Sequence, residues 1–169
     1  MSQCTSATGS VALAEVPEAA ADRVLRWVLS SGFSREWAAG EDDAVAVLAR
    51  WAGLDGVRTF LLTECAEPVG YGEIWVGEDE DEAELTHLVI DPHRQGEGLG
   101  RALTARLAEH AASSASRVVL RVALENTRAQ AVYRSCGFRQ MSAAGQAAFN
   151  QGQPRVHLWM ERAREESLA

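Results

Sequence analysis

The chain has 169 residues, a net charge of −8, 47% hydrophobic and 24% charged residues. That length points to one domain, able to bury about 70% of its unfolded surface, with the composition of a globular protein. The acidic balance lacks the basic stripe that nucleic-acid binding needs. No apolar run approaches the ~20 residues of a membrane span.

The basic residues are 16 arginines, with no lysine anywhere. Cys4, Cys65 and Cys136 show no C-x-x-C spacing, so neither a disulfide framework nor a metal site is expected, and a cytoplasmic setting fits. The first residues lack a basic stretch leading into an apolar run, so no secretory leader is expected.

Residues 1–10 are small and polar and read as a flexible lead-in. A first strand is expected at 11–16. Pro17 then opens a helix to about Leu29, with Val24, Leu25, Trp27 and Val28 as its apolar face. Residues 34–40 read as a loop, and Asp42 or Asp43 caps a second helix over 44–51. Strands follow at 57–63 and 69–76, joined by a turn at 66–68. After an acidic turn at 77–81, two strand–helix units are expected, 83–90 with 98–111 and 117–123 with 127–136. Short strands at 138–141 and 156–160 flank a loop over 142–154, and residues 163–169 form a charged tail. Antiparallel strands followed by helix-linked strands give a mixed α/β sheet in a single domain, 11–162.

The densest signal is Arg94-Gln95-Gly96-Glu97-Gly98-Leu99-Gly100-Arg101, between the strand at 83–90 and the next helix. A glycine loop there leaves the first helical N–H groups unpaired at the positive end of the helix dipole, a site for phosphate groups. The P-loop reading fails because it needs a lysine. The dinucleotide fingerprint fails because its sixth position is Arg101 and not glycine.

Gln95-x-x-Gly98-x-Gly100 resembles the Q/R-x-x-G-x-G/A motif of the GNAT family of N-acetyltransferases. A second segment resembles the same family: the strand Val118-Val119-Leu120-Arg121-Val122, then Asn126, Ala129, Ala131, Tyr133 and Gly137-Phe138. The likeness covers roughly residues 57–160. It implies a mixed, mostly antiparallel sheet flanked by helices. The two central parallel strands, here 83–90 and 117–123, splay to admit the pantetheine arm of acetyl-CoA.

The resemblance implies that backbone N–H groups of Gln95, Gly96, Glu97, Gly98, Leu99, Gly100 and Arg101 hold the pyrophosphate, with Arg94 and Arg101 adding positive potential. The strand edge at Leu88, Val89 and Ile90 pairs with the pantetheine amides. Asn126 either contacts that arm or caps the helix after it. Tyr133 matches the tyrosine beside the coenzyme sulfur and serves as general acid. Glu84 is the first candidate base, on a face that period-two alternation shares with Thr86, Leu88 and Ile90. Glu82 and Glu73 are alternatives, and His87, alternating to the other face, is a weaker one.

The reaction implied is acetyl transfer from acetyl-CoA to a primary amine of a small molecule or peptide, by direct attack in a ternary complex and without a metal. Arg121 stands where some relatives that acetylate protein N-termini carry Glu, which counts against a ribosomal-protein-type acceptor. Trp27, Trp37 and Trp51 either line an acceptor pocket or belong to the core, and Phe149-Asn150-Gln151-Gly152-Gln153-Pro154 is either an acceptor loop or an ordinary hairpin. A non-catalytic acyl-CoA sensor is the alternative function. A homodimer is compatible with the family.

Overall fold

The computed structural model describes residues 11–15, 20–30, 53–77 and 81–163. The expected helix at 44–51 and both termini lie outside them, as do Trp37 and Trp51.

Among the described residues seven strands form one sheet in the order β1-β2-β3-β4-β5-β7-β6. They are β1 (Val11–Glu15), β2 (Val57–Glu64), β3 (Glu67–Val76), β4 (Glu82–Ile90), β5 (Arg117–Val122), β6 (Arg139–Gln140) and β7 (Leu158–Ala163). Only β4 and β5 run parallel; every other pair is antiparallel. Among the described residues the sheet is flanked by α1 (Ala21–Ser30), α2 (Leu99–Ala112), α3 (Thr127–Ser135) and α4 (Ala143–Asn150).

Alternation along the strands builds two different layers. On one face Phe60, Leu62, Ile74, Leu85, Val118 and Leu120 meet Leu103 and Leu107 of α2 in the main core. Leu103 and Leu107 are wholly buried, each contributing about 1.5–3 kcal/mol by area removed from water. Gly72 permits that approach, since a Cβ there would stand 2.6 Å from Leu107 Cδ1. On the other face Val24, Trp27 and Val28 of α1 pack on Leu61, Tyr71 and Val89. Trp27 is therefore a core residue.

Three expectations change. Residues 143–150 are helical, capped by Ser142 Oγ accepting from Gly145 N at 3.2 Å, and Phe149 of this helix stacks on Trp159. The β2–β3 turn falls on Cys65 and Ala66, both at positive φ (51° and 66°), so Glu67 and Pro68 already belong to β3. Cys65 is disulfide-bonded, which the cysteine spacing did not foretell. Cys136 is a free thiol.

Candidate active site

β4 and β5 pair over only four rungs, from Glu82↔Arg117 to Leu85↔Leu120. Beyond Leu85, β4 continues to Ile90 while β5 stays paired to β7 through Val122↔Leu158. The two central strands thus part into a wedge, and the backbone edge of Leu88, Val89 and Ile90 faces it without a β5 partner. Asp91-Pro92 ends the strand, with Asp91 Oδ1 accepting from His93 N at 3.0 Å to start a 3-10 turn, Pro92–Arg94.

The glycine loop follows. Gly96 and Gly98 hold positive φ of 92° and 82°, a region costly to residues with a Cβ. A Cβ at Gly98 would meet no protein atom within 4 Å, so the space before the loop is open to a ligand. α2 starts at Leu99 with no side chain capping it. Its first N–H groups are left for something else to satisfy, and a diphosphate suits them. Leu99 itself is buried in the core, so it contributes its N–H and anchors the helix.

Arg94 plays a different part from the one expected. Its guanidinium binds Glu97 through Nε at 2.7 Å and Glu64 of β2 through Nη2 at 2.7 Å. These bonds raise the Arg94 pKa and lower that of Glu97. Arg94 staples the loop to the sheet, and its charge is cancelled by the two carboxylates. The cations left to the loop are Arg101 and Arg128, an α3 side chain whose Nη2 lies 3.9 Å from where a Gly96 Cβ would be. Arg128 has no local signal in the sequence; only the packing of α3 brings it there.

Asn126 caps α3, its Oδ1 accepting from Ala129 N at 3.1 Å. The cap uses the carbonyl oxygen and leaves the amide N–H pair to donate. Gln130, buried, fastens the β5–α3 connection by donating from Nε2 to Ala123 O and Leu124 O at 3.2 and 2.9 Å. Tyr133 is half-buried against Phe138 with ring centroids 6.4 Å apart. Burial first, then Cys136, pushes its phenol up to about 12. No hydrogen bond to its hydroxyl contributes. Cys136 ends α3 with Sγ 3.6 Å from Arg101 O, a packing position.

The opposite face of the wedge holds a buried carboxylate. Glu73 is wholly buried. Its Oε1 accepts from Tyr71 Oη at 2.6 Å, and its Oε2 accepts from Trp75 Nε1 at 2.6 Å and Thr86 Oγ1 at 3.3 Å. Oε2 also lies 2.8 Å from His87 Nδ1. Burial pushes Glu73 up, but His87, Tyr71 and Trp75 together bring it below the usual carboxylate value. A carboxylate that accepts these bonds is held in its ionised form, with Nδ1 of His87 against it.

His87 reaches this face because β4 bulges. Tyr71 pairs with Val89 but Glu73 pairs with Thr86, so one extra residue is inserted, and His87 takes φ 51°. The expected alternation therefore breaks here. Thr86, His87 and Val89 turn to the Glu73 face, whereas Leu88 and Ile90 join the main core. Glu84, the first candidate base, sits lower, on the rung paired with Val119. Its Oε1 is 3.3 Å from Arg121 Nε yet lacks a hydrogen-bond partner. Burial raises its pKa against the opposing pull of Arg121. Glu82 pairs with Arg117 at 3.3 Å.

Among the described residues no cluster of three or more His, Cys, Asp or Glu is placed to hold a metal, and no helix is long and apolar enough to cross a membrane.

Comparison with known proteins agrees with this geometry. The Acetyltransferase (GNAT) family model matches residues 21–138. A mycothiol acetyltransferase of Streptomyces griseus is 49% identical over 55 residues, covering 31% of this chain and 17% of that one; the chain thus aligns with about a sixth of the length of that curated relative. Among solved structures, an acetyltransferase from Thermus thermophilus superposes with a TM-score of 0.67 at 27% identity, covering 91% of this chain and 97% of that one. Spermidine N-acetyltransferase of Vibrio cholerae, in complex with CoA and spermine, gives 0.71 at 17%, with 91% and 95% covered. Aminoglycoside acetyltransferase AAC(6')-Ib, with coenzyme A and kanamycin, gives 0.73 at 20%, with 92% and 95% covered. The chain belongs to the GNAT family of acetyltransferases.

Proposed function

We propose that this protein transfers the acetyl group of acetyl-CoA to a primary amine. The carrying observation is the wedge: β4 and β5 separate after Leu85↔Leu120, with an uncapped glycine loop at the end of the same strand and the Glu73–His87 pair beside the opening. The residues fit the donor. Backbone N–H groups from Gln95 to Arg101 would hold its diphosphate, Arg101 and Arg128 would add charge, and the Leu88–Ile90 edge and Asn126 would hold its amide arm. The donor supplies an acyl group activated as a thioester.

The protein's own part is alignment and proton handling. His87, held through Nδ1 by Glu73, accepts a proton at Nε2 from the incoming ammonium, and the Glu73 carboxylate stabilises the charge that results. Tyr133 stays protonated at neutral pH and holds the proton that the departing sulfur needs. Backbone N–H groups along Leu88–Ile90 face the place where negative charge would develop on the carbonyl oxygen. His87 thus replaces Glu84 as the base.

Thiol release from acetyl-CoA in the presence of a broad amine panel tests this reading. Amine-dependent release that falls in Tyr133→Phe, with acetyl-CoA binding retained, supports it. Binding without turnover of any amine would identify an acyl-CoA sensor instead.

A further inference from the structure

One side chain narrows the acceptor. Arg121 lies one residue past the last β4–β5 pair, so it faces the wedge across from Thr86, on the sheet face of Glu73 and His87. Its guanidinium lies over the Trp159 ring, 5.5 Å from the centroid. Its Nη1 donates to Gln153 Oε1 at 2.8 Å. Its Nε stands 3.3 Å from Glu84 Oε1, without hydrogen-bond alignment.

Trp159 and Gln153 therefore hold the guanidinium in place, while Nη2 and the second Nη1 proton are engaged by no described residue. The side chain is 36% exposed, so these donors are within reach of a ligand. Glu84 offsets the charge only in part, because its Oε1 makes no hydrogen bond to the guanidinium.

A planar, preoriented guanidinium with two spare donors matches a carboxylate. We infer that Arg121 binds the carboxylate of the acceptor, which is a compact amino acid: its amine is directed to His87 and its carboxylate to Arg121. Neighbouring strands stand about 4.8 Å apart where paired. Arg121 and His87 stand on the two strands that border the wedge, β5 and β4, which are no longer paired at that level. This inference rests on the transferase reading and goes past it to the acceptor's chemical class.

The test measures kcat/KM on matched sets: amino acids, their carboxamides and the amines lacking the acid group. Wild type is expected to favour the amino acid over its carboxamide by roughly tenfold or more, as for a charge-assisted hydrogen-bonded pair. In Arg121→Gln that ratio collapses toward one, with the acetyl-CoA thermal shift retained as evidence of folding. Gln153→Ala provides a milder check, raising KM for the amino acid while leaving that for the carboxamide in place. Equal wild-type use of carboxamides or simple amines, or an unchanged ratio in both variants, overturns the inference and leaves the transferase reading standing. No turnover of any amine overturns both.

Discussion

The glycine loop and the Glu73–His87 face both depend on β4, but they are made of different atoms. At the loop the groups proposed to bind are backbone N–H donors, exposed by two glycines at positive φ and an uncapped helix. At the other face the working groups are side chains, assembled around a wholly buried carboxylate and turned into place by a one-residue bulge. A backbone site tolerates most side-chain exchanges but fails when a Cβ intrudes. The side-chain site should respond to single changes at its centre.

The largest expected effect is at His87. His87→Gln keeps a donor for Glu73 but cannot take up a proton, so kcat falls by roughly 10²–10⁴ while the acetyl-CoA thermal shift is unchanged. A kcat within a few-fold of wild type would remove the base from this face. Glu73→Gln follows, with both activity and folding affected. Weakening the buried hydrogen bonds to its carboxylate costs about 1.5–3 kcal/mol, to be read by urea unfolding.

The acid limb of stability carries the same information. The folded-state pKa of Glu73 lies below its ordinary value, so its stabilisation is complete above the unfolded value of about 4.3. It is lost as pH falls through the folded value. Glu73→Gln should therefore flatten the decline of unfolding free energy below about pH 4.3; an unaltered acid limb would contradict the hydrogen-bonding of the carboxylate by His87, Tyr71 and Trp75.

A smaller effect is expected on the loop side. Gly98→Ala introduces a Cβ at φ 82°, costing about 1–2 kcal/mol in backbone strain and reducing the acetyl-CoA thermal shift. A full shift would mean that no ligand occupies the open space there. The smallest belongs to Glu84. Its pKa is raised in the fold, so it costs stability as pH rises above the unfolded value, and Glu84→Gln should be slightly more stable at neutral pH. Its kcat should fall much less than that of His87→Gln; the reverse order would reinstate Glu84 as the base.

The same contrast explains what the sequence disclosed. Backbone sites leave a glycine spacing that can be read directly, so Gln95–Arg101 and the following helix were legible, as were the strand order around Asn126 and Tyr133. The approach of His87 to Glu73 is not legible, because a bulge inserts one residue and reverses the alternation beyond Thr86, and nothing local to His87 marks it. The Ala- and Gly-rich stretch of α4 lacks a clear apolar stripe and so resembles a loop; its Ser142 cap is the available signal. Arg128 and the Arg94 staple depend on contacts between distant elements, to which chain spacing gives no guide.

Thermal unfolding with and without acetyl-CoA, with ATP and NAD as controls, tests the central claim most directly. A ligand at 100 times its Kd adds about 2.7 kcal/mol, which for a domain of this size raises Tm by roughly 5–11 °C. The account predicts that rise for acetyl-CoA and not for the controls. No shift at saturating acetyl-CoA, or an equal shift with ATP, would contradict the assignment of the loop and the wedge to an acyl-CoA donor.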